Sequence, residues 1–178
     1  MTPLEMWRTS KRLHVDTFKR TRGAYLDPRW APRWNAVVDA YDVTMDALLE
    51  VGENGLAHTV RTWSDAVSGA LARMRGPRSS RCPTWRIDRD GVVRDRDGNI
   101  DGPGMLEILR LLRRARFDSL VHGWLVIWAD GWRAEIERDD EAGLFLGDDE
   151  ALPVAIATLV AITGCDVYNA GPVRRRTR

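Results

Sequence analysis

The run Asp97-Gly98-Asn99-Ile100-Asp101-Gly102 has the residue types and spacing of the first half of a calcium loop. Asp97, Asn99 and Asp101 supply oxygen donors at the first, third and fifth positions, and Gly102 stands where such a loop turns sharply. The second half departs from the pattern. Gly104 occupies the place of an aliphatic residue, and Ile108 stands where a bidentate Glu belongs, with Glu107 one place early. The same residues also make a solvated Asp/Gly turn, as Asp88-Arg89-Asp90-Gly91 does just before them, and this plainer reading is favoured. Calcium at Asp97, Asn99 and Asp101 is the one cofactor the chain suggests; otherwise none is expected.

A second set of carboxylates, Asp39, Asp42, Asp46 and Glu50, recurs at helical spacing. Such a row would suit a divalent-metal hydrolase if other helices supplied converging carboxylates, but the next helical segment offers only Asp65. Arg110, Arg113 and Arg114 share one helix face, and Arg78 and Arg81 lie in a nearby linker. These arginines suit phosphate contacts. The competing reading is the solvated face of an amphipathic helix, and a net charge of +1 favours it. His14, His58 and His122 are scattered, without the spacing of metal ligands. No GxSxG, GxxxxGK[ST] or GxGxxG is present.

Cys82 and Cys165 are the only cysteines, and neither has ligand spacing. They read as free thiols in a reducing cytosol, which makes the expected location cytoplasmic. The N-terminus has no apolar signal region, and the longest strongly apolar run, Ala151 to Thr163, is too short to span a bilayer, so no membrane partner is expected.

The elements that must position these groups follow from periodicity. A helix is expected from Leu4 to about Arg22, broken by Asp27-Pro28 and Ala31-Pro32. A second runs from about Arg33 to Val51, with Trp34, Val37, Val38, Tyr41, Met45, Leu48 and Leu49 on one stripe. A third runs from about Leu56 to Met74, and the short Gly52–Gly55 connection makes the pair an antiparallel hairpin. Residues 1–33 carry eight Lys/Arg against three acids, and residues 34–66 one Arg against six. The basic first helix therefore lies over the acidic second, or each faces a different partner.

After the linker Gly76–Pro83 the period changes to two. Trp85-Arg86-Ile87 and Val92-Val93 predict a β-hairpin, and Met105 to about Phe117 a helix. Strands are expected at 123–129 and 132–138 about an Asp130-Gly131 turn, with a short strand at 144–146. A very apolar helix then runs to Gly164, with Pro153 in its first turn.

The order of helix, Trp-bearing strand, turn, GWRAEI, short strand, acidic cap and Ala-rich helix resembles the small phage αβα-sandwich domain. Residues 149–159, Asp-Glu-Ala-Leu-Pro-Val-Ala-Ile-Ala-Thr-Leu, match the helix that closes that pattern, and the resemblance spans about 103–164. It implies a phage or prophage accessory protein with no assigned enzyme activity.

Together these features predict an α+β protein: an N-terminal helical hairpin region followed by a small antiparallel sheet sandwiched by helices. The expected division is 1–76 helical, 77–83 linker, 84–168 sandwich and 169–178 basic tail. Eight Trp residues, alternating charge blocks and the lack of a catalytic constellation favour a non-enzymatic accessory protein that binds another protein or itself. Trp7, Phe18, Trp30 and Trp34 are the candidate interface. Nucleic-acid binding through Arg110, Arg113, Arg114, Arg78 and Arg81 is the alternative, and a metal-dependent hydrolase on helix 39–50 the second alternative.

Overall fold

The computed structural model describes residues 1–89, 91–114 and 151–170. Helix α1 spans Pro3–Thr21. Its start is a capping box: the Thr2 hydroxyl accepts the Glu5 N–H at 3.3 Å, and the Glu5 carboxylate accepts the Thr2 N–H at 2.7 Å. It stops where Arg22 and Gly23 turn left-handed, at φ 54° and 67°. Gly23 is required there. A Cβ would come within 2.6 Å of the Tyr168 ring and 2.9 Å of Phe18.

Helix α2 (Ala31–Glu50) follows a short 3-10 turn over Pro28–Trp30, and α3 (Asn54–Arg75) returns antiparallel to it. Trp34, Val37, Tyr41, Thr44 and Leu48 form the buried stripe of α2. On α3, Ala57, Val60, Trp63, Ser64, Val67, Ala70 and Leu71 do the same. Both stripes keep the three- and four-residue steps that the sequence pattern requires. Basic α1 does lie on acidic α2. Their backbones approach through small polar side chains, with the Ser10 and Thr44 hydroxyls 2.7 Å apart.

The sheet is small and mixed. Strand β1 (Arg86–Asp88) pairs antiparallel with β2 (Val93–Arg94) and parallel with β3 (Tyr168–Asn169), in the order β2-β1-β3. The antiparallel hairpin agrees with expectation. The parallel partner lies in the segment expected to be the end of the sandwich and the start of the basic tail. Its pairing is non-local, so no local pattern announces it. Helix α4 (Gly102–Arg114) is tied to the hairpin by the Trp85 indole, which donates to the Glu107 carboxylate at 3.0 Å. The expected strands at 123–129, 132–138 and 144–146, with the Asp130-Gly131 turn, lie outside the described residues.

Helix α5 (Ala151–Thr163) is the centre of the packing. From Leu152 to Val160 every residue is buried except half-buried Thr158. It packs chiefly on α3, with further contacts to α4 and α1. The α3 crossing is close: a Cβ on Gly69 would stand 3.0 Å from the Ala161 Cβ. Arg73 of α3 closes the end of α5, donating to the carbonyls of Ala161 at 2.8 Å and Ile162 at 3.2 Å. One hydrophobic cluster runs from Trp7 through Trp34, Trp63 and Ile87 to Ile156 and Val167. The N-terminal helices and the sheet thus share a core across the linker. Among the described residues no helix is long and apolar enough to cross a membrane.

Cys82 and Cys165 are joined by a disulfide, with Cα atoms 5.6 Å apart. The expectation of two free thiols is therefore corrected, and the cytoplasmic location inferred from free thiols loses that support. Spacing misled because the two residues are 83 positions apart and meet only when α5 docks. The bridge pins the linker beside the start of β1 to the segment before β3, so it holds the non-local parallel pair together. Chain-entropy arguments give a loop of this length about 4.5 kcal/mol of stabilisation. The Cys82→Ser/Cys165→Ser double variant is expected to lose about that much in urea unfolding. A midpoint equal to that of the oxidised protein would show that the bridge carries no stability.

Candidate functional site

The least expected chemistry is buried. His14 of α1 sits between two tyrosines, its Nδ1 2.8 Å from the Tyr41 hydroxyl and its Nε2 2.8 Å from the Tyr25 hydroxyl. The Tyr25 hydroxyl donates onward to the Pro153 carbonyl in the first turn of α5, at 2.9 Å. Because that proton is committed to Pro153, Tyr25 receives from His14. The network thus assigns the proton to Nε2 and leaves Nδ1 to accept from Tyr41. Trp34 packs edge-on to the imidazole and stacks on Tyr25 at 4.0 Å. All three polar side chains are fully buried. Burial lowers the His14 pKa from 6.5 to about 3 and raises that of Tyr25 well above the usual phenol value. The relay is enclosed in the core and acts as a polar rivet joining α1, α2 and α5.

The predicted calcium loop is organised from outside itself. Asp95, which the spacing did not single out, accepts the N–H groups of Asp97 and Asn99, both at 2.9 Å, in an Asx turn. Asp101 caps α4 by accepting the Gly104 N–H at 2.9 Å. The side chains of Asp97 and Asn99 are exposed. Among the described residues no three His, Cys, Asp or Glu side chains gather into a group able to hold a metal ion. Of the carboxylate row on α2, Asp42 accepts the Ser64 hydroxyl at 2.8 Å, and Asp39, Asp46 and Glu50 face solvent.

Of the aromatic residues proposed for an interface, Trp7, Phe18 and Trp34 are core residues, at 7%, 4% and 0% exposure. Trp30 is half-buried against the same cluster. A Trp excess does not separate core from contact surface, because both select large rings. The predicted arginines belong to separate elements. Arg78 and Arg81 are exposed in the linker and Arg110 is exposed on α4. Arg113 and Arg114 lie in the last turn of α4, with side chains outside the described residues.

Among the described residues two surface concavities stand out. One is an open apolar groove of about 400 Å³ between α1 and α2, lined by Met1, Met6, Ala40 and Val43 and edged by Asp39. The other is a polar hollow of about 410 Å³ over the hairpin, where Arg86, Arg94 and Arg96 stand with Asp88, Asp95 and Cys82. Arg86 and Arg94 are register partners across β1 and β2. Each is held: Arg86 donates to the Pro83 and Trp85 carbonyls, and Arg94 to Asp88 at 2.9 Å and the Gly98 carbonyl. Hairpin pairing of Trp85-Arg86-Ile87 with Val92-Val93-Arg94 was the signal that could have placed these arginines together.

No known protein family, curated protein or solved structure matches the chain.

The His14 network makes stability depend on pH. Between about pH 6.5 and 3 the unfolded chain binds a proton at this position that the folded protein refuses, so stability falls as pH falls. By pH 5 the loss from this group is about 2 kcal/mol. Urea unfolding at pH 7 and pH 5 should show it, and His14→Phe should flatten the difference whatever it does to the baseline. A His14→Phe variant with the same pH slope as the natural chain would refute the assignment.

Proposed function

We propose that this chain is a non-enzymatic accessory protein that works by binding another polypeptide, an amphipathic helix with basic flanks, in the groove between α1 and α2. The resemblance of residues 103–164 to a phage sandwich domain supports a phage or mobile-element setting. One observation carries the binding reading: the groove is apolar and open, and Val43 on its wall is 58% exposed. Valine at mid-helix gains nothing from water, so an exposed valine lining a concave apolar surface favours a covering partner.

Charge sets the chemistry of that partner. Asp39 edges the groove, and Asp46 and Glu50 lie exposed on the same helix at the spacing of successive turns. An incoming helix with Leu, Met or Phe on one stripe and Lys or Arg beside it would bury its apolar face against Met6 and Val43. Its cations would lie along α2. Opposite charge along a groove speeds encounter and fixes orientation, while apolar contact supplies most of the affinity.

Two synthetic helices with the same leucine stripe test this, one with lysine flanks and one with glutamate flanks. Titration calorimetry should show the lysine helix binding and the glutamate helix failing. Val43→Asp should weaken the lysine helix by at least about tenfold, or about 1.4 kcal/mol. Equal binding of both helices, or indifference to Val43→Asp, would reject the site. Low-salt retention on duplex DNA that Arg110→Ala abolishes would replace this reading with nucleic-acid binding.

A further inference from the structure

We propose that the Cys82–Cys165 bridge is an exchange site for anionic thiols, which enter through the polar hollow and attack Cys82. This inference is independent of the groove between α1 and α2.

The two sulfurs differ in access. Cys82 is exposed and forms part of the wall of the hollow. Cys165 is 2% exposed, tucked behind the end of α5. A nucleophile arriving from solvent therefore meets Cys82 first, and thiol–disulfide exchange depends on which sulfur is reached.

The hollow also selects by charge. Its aspartates are already engaged within the protein. Asp88 accepts the Val92 N–H and the Arg94 guanidinium, and Asp95 accepts the N–H groups of Asp97 and Asn99. Arg86 and Arg94 are braced by carbonyls and keep N–H groups beyond those bonds. Among the described residues no hydrogen bond or ion pair engages the exposed Arg96. Three guanidinium groups, Arg86 and Arg94 held in place and Arg96 unengaged, stand against the two carboxylates of Asp88 and Asp95, and this positive excess favours a carboxylate- or sulfonate-bearing thiol over an ammonium-bearing one.

The step balances as ordinary exchange. A thiolate attacks the Cys82 Sγ and forms a mixed disulfide there. The bond to Cys165 breaks, and its electron pair leaves on the Cys165 sulfur, which takes a proton from solvent. A second thiolate attacks the small-molecule sulfur of the mixed disulfide and releases the Cys82 thiolate. Two external thiols are oxidised to one disulfide, and the bridge gains two electrons. Opening it frees the linker from the segment before β3, so a change in thiol supply would reach the parallel strand pair.

The test uses the intact oxidised chain with two probes of opposite charge, mercaptoethanesulfonate and cysteamine. Rates are followed by quenching with an alkylating agent and corrected for the thiolate fraction of each probe. At low ionic strength the sulfonate thiol should open the bridge at least about tenfold faster per thiolate, and concentrated salt should shrink that ratio. Arg96→Glu should also shrink it without altering the urea midpoint. Peptide mass mapping of early time points should find the mixed disulfide on Cys82 and the alkyl group on Cys165. Equal rates for the two probes, a ratio unmoved by Arg96→Glu, or a first adduct on Cys165 would each overturn the proposal. So would a rate independent of thiol concentration, which would mean that the bridge opens only when the protein unfolds.

Discussion

Helix α5 has almost no solvent face, and the rest of the molecule is arranged to supply its walls. A helix apolar all round cannot rest on one neighbour, because whatever side remains uncovered is exposed hydrocarbon. Helix α3 covers one side closely enough that Gly69 and Ala161 leave no room for larger residues. Helices α4 and α1 contribute further contacts. The C-terminal end of α5 needs polar partners, since a helix strands its last carbonyl groups. Arg73 satisfies two of them from α3. At the other end Tyr25, from the turn after α1, adds a hydrogen bond to the Pro153 carbonyl in the first turn.

That bond ties a histidine and two tyrosines in the core to α5. Tyr25 can donate to Pro153 only if its own oxygen is also satisfied, and His14 does this while accepting from Tyr41. A closed chain of donors and acceptors orients three helices in a way that apolar contacts alone do not, because hydrogen bonds are directional and hydrophobic contact is not. A charge inside this chain would have no compensating partner, so His14 stays neutral. The same residue that locks the packing makes it sensitive to acid.

The surfaces available for function are what this core leaves over. Trp7, Phe18 and Trp34 are consumed in building it, so recognition falls to smaller residues such as Met6 and Val43. The arginines of the hairpin cluster because β1 and β2 pair in one register, which sets Arg86 opposite Arg94. Like charges in that position cost energy, and here the carboxylate of Asp88 and nearby carbonyls offset the cost. The hollow is thus a by-product of strand register, with Cys82 on its edge because the linker leads into β1.

The sequence by itself determined the helices and their buried stripes. Residues such as Trp34, Val37, Tyr41 and Leu48 recur at helical spacing, and amphipathic periodicity is a local property. The same holds for the first hairpin, for the helix over Ala151–Thr163 and for the α+β class, whereas α1 lying on α2 was one of two alternatives that the charge blocks allowed. Asp101 has the oxygen of a calcium ligand but acts as a helix cap, because a carboxylate before a helix serves either role until its neighbours are placed. Only the tertiary structure decided the Cys82–Cys165 pairing, the parallel β1–β3 contact and the relay from His14 to Pro153. Each joins groups from distant parts of the chain. No local spacing encodes such meetings; they come about when α5 docks against its neighbours and brings remote segments together.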